Sequence, residues 1–241
     1  MKPTYKVYSF EESLREMDLI LDGDVTTVTE QNALPDDSEN IIKKSLYAYC
    51  SVIYVDIRVI QDWMDANKRI LYAKLYRSLV TQVCSLFEST KLCQDINSSD
   101  SAIWGIFDTR YKNDINELIT LVAQLNSLLK TLNFKMSKRQ WPTFRWGIGV
   151  CYDRILLFDV KGDSDTISRA FLGPVLKNAT RLASYGNKTY FDNPIMISEI
   201  FYSNLNDDNK KLFRNNAEHD CYVSGSAFIP CIIQKKAVTA D

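Results

Sequence analysis

Asp56 and Asp100 are acidic residues that adjoin strongly apolar runs of this sequence. Asp56 directly follows the run at 45–55 (SLYAYCSVIYV), and Asp100 lies in the polar stretch just before Ala102–Phe107. A carboxylate beside a buried strand costs free energy unless a cation or hydrogen bonds replace its lost hydration. Two carboxylates at the ends of neighbouring strands can hold two divalent cations for in-line attack at phosphorus. Taken singly, Asp56 can instead cap a helix, and Asp100 can stabilise a turn.

The hydrophobic pattern around these aspartates predicts strands that bring them together. The aromatic and β-branched run at 45–55 predicts a central strand that ends at Asp56. A turn is expected at 94–99, followed by a second strand at Ala102–Phe107. We therefore expect a hairpin with Asp100 near its bend.

The remaining pattern predicts an α+β fold. Helical spacing of apolar residues covers 59–88, as one helix or two joined helices, and 113–132. A further helix is expected over 167–184, with Gly173 and Pro174 as its start signal. A hairpin is expected from 144–150 and 154–159, and a final strand at 227–233. This order predicts an α+β sandwich with helices packed on one face of the sheet.

Composition limits the classes of function. With 46% hydrophobic and 24% charged residues in 241, the chain can bury a full core and is near the upper size of one domain. The net charge of −1 offers no general attraction to nucleic acid or to an anionic membrane surface. The six cysteines lack metal-binding spacing and are expected to be reduced. Because no run of about 18 apolar residues occurs, we expect a cytoplasmic protein without a membrane span.

The chain is expected to have three parts. Residues 1–44 are a mixed lead-in segment that ends in the polar, acidic stretch LPDDSEN, and this segment is expected to add to a dimer or cover a sheet edge. Residues 45–205 are the expected catalytic domain. Residues 206–241 are expected to supply C-terminal strands of the same domain.

Four segments resemble class III nucleotidyl cyclases in their order and spacing: VIYVDIR at 52–58, SSDSAIWGIF at 98–107, FRWGIGVCYDRILLFDV at 144–160 and LGPVLKNATRLAS at 172–184. The resemblance covers roughly residues 45–205. It implies an antiparallel-rich sheet and a homodimer with shared active sites, in which each site takes residues from both protomers.

The same resemblance implies a metal site. Asp56, the backbone carbonyl of Ile57 and Asp100 match the family's metal ligands, with Ser99 in place of a family glycine. The implied cofactor is Mn²⁺ or Mg²⁺, two ions per active site, and hard oxygen ligands suit both metals.

Lys177 and Arg181 are the implied catalytic cations. Arg181 matches a family arginine that stabilises the transition state from the opposite protomer, and Lys177 stands where the family has an asparagine. Asn178 is adjacent, so either the register slips by one residue or a lysine takes this role. Residues four apart share a helix face, so both cations can meet one polyphosphate. The alternative is a solvated basic helix face.

Base recognition departs from the purine cyclases. Ile96 and Ala170 occupy the positions at which those enzymes carry polar base-reading residues, and neither side chain can hydrogen-bond to a base. Tyr54 lies two residues before Asp56, shares its strand face and can narrow the pocket toward a pyrimidine. An ordinary core tyrosine is the alternative.

A cyclase domain without purine determinants resembles the bacterial pyrimidine cyclases of the Pycsar antiphage system. That resemblance implies a nucleoside triphosphate substrate, UTP in preference to CTP, and a cyclic product that signals to a separate effector. Lys235 or Lys236 could bind the triphosphate. The alternatives are a catalytically inactive cyclase-like sensor of a nucleotide or partner, and a palm-like phosphotransferase, which the lack of basic surface for a template disfavours.

Overall fold

The computed structural model describes residues 7–22, 28–35, 45–59, 68–161, 167–189 and 192–225. The helices are α1 (Phe10–Leu21), α2 (Arg69–Phe87), α3 (Lys112–Ser137), α4 (Pro174–Tyr185), α5 (Glu199–Ser203) and α6 (Asp207–Lys210). The strands are β1 (Val28–Gln31), β2 (Ser45–Val59), β3 (Cys93–Ser98), β4 (Ala102–Phe107), β5 (Phe144–Lys161), β6 (Ile167–Leu172), β7 (Ile195–Ile197), β8 (Arg214–Asn216) and β9 (Cys221–Ser224).

Within these ranges the strands form one nine-stranded sheet in the order β3-β4-β2-β5-β7-β9-β8. β1 pairs with β2, and β6 pairs with β5, off this path. The β1–β2 and β5–β7 pairs are parallel, and the others are antiparallel. The predicted α+β, antiparallel-rich fold is therefore confirmed.

The long β2–β5 pair forms the centre of the sheet. It runs from Leu46 opposite Leu157 to Val59 opposite Phe144. Because side chains alternate along a strand, residues on the two faces of β2 enter different cores. Ile53, Val55 and Ile57 pack with residues of α2 and α3, whereas Ala48, Cys50 and Val52 pack with residues of α4.

The expected placement of helices on one face is wrong, because α4 packs on the opposite face from α2 and α3. Two glycines of β5 permit this contact. A Cβ atom on Gly147 would lie 1.9 Å from the Ala183 carbonyl oxygen, and one on Gly149 would lie 2.0 Å from that of Ala179. The absent side chains let α4 rest directly on the sheet backbone.

The hairpin expected from 144–150 and 154–159 is also wrong, because β5 is one continuous strand. Residues 151–153, where the turn of that hairpin would lie, continue the strand instead, and Asp153 and Arg154 pair with β2 opposite Cys50 and Tyr49. The Arg154 guanidinium lies over the rings of Tyr47 and Tyr49, at 5.2 and 4.8 Å. Contacts with a neighbouring strand thus accommodate a charged residue within this long strand.

Other boundaries differ for local reasons. β2 continues past Asp56 to Val59. Residues 94–99, expected as a turn, belong mostly to β3, a partly exposed strand at the sheet edge whose polar residues face solvent. The segment 167–172 is strand β6, and α4 starts at Pro174, a residue suited to the first helical position.

Two predicted helices are present with changed bounds. The helix expected over 113–132 is confirmed and extends to Lys112–Ser137. The helix expected over 59–88 is present as Arg69–Phe87, and its predicted first residues, 60–67, lie outside the described residues. The final strand predicted at 227–233 also lies outside them. No helix in the described ranges is long and apolar enough to cross a membrane.

The described cysteines are free, as expected from their spacing. Cys50, Cys151 and Cys221 are buried, and Cys84 and Cys93 are partly exposed. Burial raises the pKa of the Cys151 thiol to about 12, so this group stays protonated at neutral pH.

We predict that Gly149→Ala lowers the free energy of unfolding by roughly 1–3 kcal/mol, since the added Cβ atom meets the backbone of α4. The measurement is urea unfolding at equilibrium. Gly225→Ala is the matched control, because a Cβ atom there meets only the Asn193 side-chain oxygen at 3.3 Å. Equal stabilities of the two variants would contradict the close packing of α4 on β5.

Candidate active site

Asp56 lies within β2, opposite Ala102 of β4 and Gly147 of β5. Hydrogen-bonded strands on both sides fix its backbone. Its side chain lies on the face that carries α4, because it shares the alternation of Val52 and Tyr54. The carboxylate is 23% exposed, so it is partly desolvated but open to a ligand.

Asp100 lies at the bend between β3 and β4, as predicted, and its side chain is exposed. The Ser99 N–H donates to the Ala102 carbonyl across this bend, at 2.8 Å, and the Ser101 hydroxyl donates to Asp100 Oδ1 at 3.4 Å. The bend is also tied to β2, where the Ile57 N–H donates to the Ser101 carbonyl at 2.8 Å.

These bonds bring the three predicted metal ligands to one end of the sheet. In an extended strand the N–H and C=O groups of one residue point toward the same neighbour, so the Ile57 carbonyl faces the Asp100 bend. Burial is the main cause of the raised pKa of the Tyr54 hydroxyl, and the negative charges of Asp56 and Asp100 raise that pKa further. The two carboxylates therefore act on a common space beside Tyr54.

Arg58 is a site residue that sequence reasoning missed. Its Nε atom lies 3.2 Å from Asp56 Oδ2, close enough for an ion pair but not aligned as a hydrogen bond. The same guanidinium donates to the Ser184 carbonyl at 3.4 Å and to the Gly186 carbonyl. The signal was available, since Arg58 is two residues from Asp56 and shares its strand face. Arg58 thereby joins the C-terminal end of α4 to the acidic site.

The Asp56 carboxyl is held at an electrostatic cost. Burial raises its pKa, and the opposing attraction of Arg58 is the smaller influence. Burial likewise lowers the pKa of Arg58, against the attraction of Asp56. A half-buried carboxylate whose charge is incompletely compensated suits an added cation.

The donor set fits a hard divalent cation. The described residues contain no cluster of three or more His, Cys, Asp or Glu side chains able to hold a metal ion. The available donors are two carboxylates and a backbone carbonyl. Mg²⁺ is commonly held by one or two carboxylates together with water and substrate phosphates. The residues present therefore fit a metal that shares its coordination with a phosphorylated substrate.

Tyr54 lies on the Asp56 face, as predicted, and is half-buried. Its ring stacks on Trp104 of β4, with centroids 5.6 Å apart and planes inclined by 16°. Burial raises the pKa of the Tyr54 hydroxyl, and the nearby Thr180 side chain of α4 partly offsets that shift. Trp104 and Thr180, which the sequence did not single out, thus restrict the positions open to this ring.

Lys177 and Arg181 lie on the exposed side of α4, whose buried residues are Val175, Ala179, Leu182 and Ala183. The Arg181 guanidinium carbon is 5.8 Å from the centroid of the Tyr185 ring. Within the described part of the chain, no ion pair joins Lys177 or Arg181 to Asp56 or Asp100. The two cations therefore share a helix face, as expected, without contacting the carboxylates of their own chain.

The other positions singled out for recognition lie apart. Ile96 packs against the core beneath α2 and α3, on the opposite face from Asp56. Ala170 lies on β6, opposite Phe158, toward the other end of β5 from Gly147. Lys235 and Lys236 lie outside the described residues.

The chain is similar in sequence to curated cyclases and in fold to a solved cyclase. No protein-family model matches the sequence. The chain is 27% identical over 214 residues to a uridylate cyclase from Treponema porcinum, covering 88% of this chain and 74% of that protein. It is 25% identical over 249 residues to a uridylate cyclase from Gulbenkiania mobilis, covering 95% and 94%.

Among solved structures, the guanylyl cyclase Cya2 superposes with a TM-score of 0.59 at 12% identity. The match covers 76% of this chain and 95% of that one. At this identity the likeness concerns the fold alone.

We predict that Asp56→Asn makes the metal-free protein more stable at neutral pH. Since the folded-state pKa of Asp56 is raised, ionisation as pH rises penalises the folded state, and a neutral amide removes that penalty. The gain in stability over the parent should shrink as the pH falls toward about 4, because the Asp56 carboxyl of the parent then becomes protonated in the unfolded state as well. Urea unfolding with a chelator across this pH range measures the difference.

Asp100→Asn is the matched control, because the Asp100 side chain is exposed and its replacement should leave stability nearly unchanged. A loss of stability in Asp56→Asn at neutral pH would mean that the Arg58 pair outweighs the cost of burial.

Proposed function

We propose that this chain, which has the class III nucleotidyl cyclase fold and resembles uridylate cyclases in sequence, is a pyrimidine nucleotide cyclase. The reaction converts UTP, in preference to CTP, to the 3′,5′-cyclic monophosphate and pyrophosphate. The observation that carries the proposal is the joining of Asp56, the Ile57 carbonyl and the Asp100 bend by one backbone hydrogen bond, beside Tyr54.

The metal ligands in this proposal are Asp56, the Ile57 carbonyl and Asp100. Two Mn²⁺ or Mg²⁺ ions held there would supply charge neutralisation at the triphosphate and acidify the 3′-hydroxyl. The partial burial of Asp56 strengthens its attraction for a cation, because a half-desolvated charge is less screened than an exposed one. The exposed Asp100 remains accessible to an ion that arrives with the substrate.

Tyr54 is the proposed substrate-binding residue. Its ring stacks on Trp104, and this contact limits the orientations open to the ring. A ring fixed in this way leaves less room for a two-ring purine than for a pyrimidine. The sequence likeness to uridylate cyclases favours uracil over cytosine.

Lys177 and Arg181 act, in this proposal, on the site of a second protomer. Their exposure on α4 and their lack of contact with the local carboxylates favour that arrangement over a site within one chain. Facing the polyphosphate, they would offset charge that develops on the α-phosphate and bridging oxygens. A homodimer then has two sites, each incomplete in a single chain.

The product is proposed to be a second messenger in antiphage defence. The sequence likeness supports this role through the resemblance to Pycsar cyclases. The cyclic nucleotide would act in the cytoplasm on a separate effector protein. No direct contact between the two proteins is then required.

A second candidate is a catalytically inactive cyclase-like sensor. The specific observation in its favour is Lys177, which stands where the family has a transition-state asparagine. Such a protein would bind the triphosphate through the same aspartates without cyclising it.

The first test is incubation of the purified chain and Mn²⁺ with each of the four ribonucleoside triphosphates, with products identified by mass. We expect cyclic UMP as the main product. Asp56→Ala and Asp100→Ala should each lower turnover by roughly a hundredfold or more, since each removes a metal ligand. Lys130→Ala, a change at an exposed α3 residue that lines neither the site nor a cavity, is the matched control. Binding of UTP without turnover would favour the sensor.

A second test mixes Asp56→Ala chains with Arg181→Ala chains. Each variant alone should be inactive, whereas random mixing restores one complete site in each heterodimer, about a quarter of the parental activity. The rate of cyclic nucleotide formation after mixing measures the recovery. No recovery, with heterodimers verified by two affinity tags, would mean that the sites are not shared.

A further inference from the structure

Helix α1 carries an apolar stripe that nothing in the described structure covers. The stripe consists of Phe10, Leu14, Met17 and Leu21, which recur at helical spacing and are 45–78% exposed. No residue of the helix is buried. Exposed apolar stripes of this kind mark interaction surfaces more often than free solvent-facing helices.

The rest of α1 is strongly acidic. It carries Glu11, Glu12, Glu16 and Asp18, with Arg15 as its one basic residue. At about 100° per residue, Glu16 and Asp18 fall on opposite sides of the apolar stripe. A surface that receives this helix should therefore combine an apolar floor with basic edges.

The groove between α2 and α3 has this composition. It consists of two adjoining cavities of about 450 and 350 Å³. Its apolar lining residues are Leu75, Leu79, Leu128, Leu132, Met136 and Trp141. Its charged lining residues are all basic: Lys74, Arg77, Lys135 and Arg139.

The basic edge is available for a partner. In the described ranges, Lys74, Arg77 and Lys135 form no ion pair. The groove extends along α3 from Leu128 to Met136, about 12 Å at the helical rise, and continues past the end of the helix to Arg139, whereas α1 is about 18 Å long. Apolar surface and charge are thus complementary.

Chain geometry favours docking of α1 from a second copy over docking of α1 from the same chain. Asn133 hydrogen-bonds the Phe144 backbone at 2.7 and 3.1 Å, and Phe144 pairs with Val59, so the groove reaches the Val59 end of β2. Strand β1, which follows α1, pairs at the opposite end of β2, about 45 Å away at the usual strand rise. The chain from Leu21 to Val28 can span at most about 25 Å.

We infer that α1 of one copy docks its apolar stripe into the α2–α3 groove of a second copy of this chain. The groove lies on the sheet face opposite Asp56, so the contact leaves the catalytic face free. The inference does not depend on the proposed cyclase activity.

The test is cross-linking between two full-length chains that carry different affinity tags. One chain bears Met17→Cys on the stripe, and the other bears Ser78→Cys, an exposed groove position. After mixing, a short bismaleimide should join the two chains. Leu19→Cys is the matched control, because Leu19 is 72% exposed but faces the opposite side of α1. The Met17→Cys chain mixed with the parent measures background from native cysteines.

Charge exchange supplies the second measurement. Arg77→Glu together with Lys135→Glu, introduced into the Ser78→Cys chain, should lower the yield of cross-linked product roughly fivefold or more. Glu16→Lys with Asp18→Lys in the α1 chain should restore it. Circular dichroism verifies that each variant is folded.

Two results would overturn the inference. One is equal cross-linking from Met17→Cys and Leu19→Cys. The other is cross-linking only within a single chain that carries both Met17→Cys and Ser78→Cys, which would mean that the groove receives its own α1.

Discussion

The antiparallel pairing of β2 with β5 sets the position of every other part of the site. Its register puts Asp56 opposite Gly147 and Tyr54 opposite Gly149, so two side chains of the candidate site lie beside two glycines. A slip of one residue would turn Asp56 toward the α2–α3 core and move the glycines away from α4. That register is supported on both faces by apolar burial, which makes alternatives costly.

The contact of α4 with β5 brings further groups close to the side chains of Tyr54 and Arg58. Ala179 and Ala183 approach the glycine backbone, so the helix lies lower on the sheet than any helix packed through side chains could. Thr180 then meets Tyr54, and the carbonyls at the end of the helix meet Arg58. One side of α4 is thereby buried against the sheet, and Lys177 and Arg181 lie on its exposed side. This exposure is what the proposed contact of Lys177 and Arg181 with a second protomer requires.

Stability and the proposed metal binding oppose each other at Asp56. Two strands and a helix hold the carboxylate where burial raises its pKa, although Arg58 is only 3.2 Å away. A site built only for folding would place a neutral residue there. Features that reduce stability locally are common where a protein binds a charged ligand. The two faces of the sheet also differ in character, since the polar site lies beneath α4 while the face beneath α2 and α3 is a continuous apolar core.

What the sequence alone determined was local. Alternation placed Tyr54 and Asp56 on one strand face, a polar bend before an apolar run located Asp100, and helical periodicity located α3, because each signal depends on neighbouring residues. Tertiary structure decided the rest. β5 continues through Asp153 and Arg154 because β2 pairs with it, and 94–98 belong to a strand because β4 lies beside them. The partnership of Arg58 with α4 and of Trp104 with Tyr54 joins residues that the fold alone brings together. The roles of Lys177 and Arg181 remain predictions, because the groups that their exposed helix face would contact in a dimer belong to a second chain.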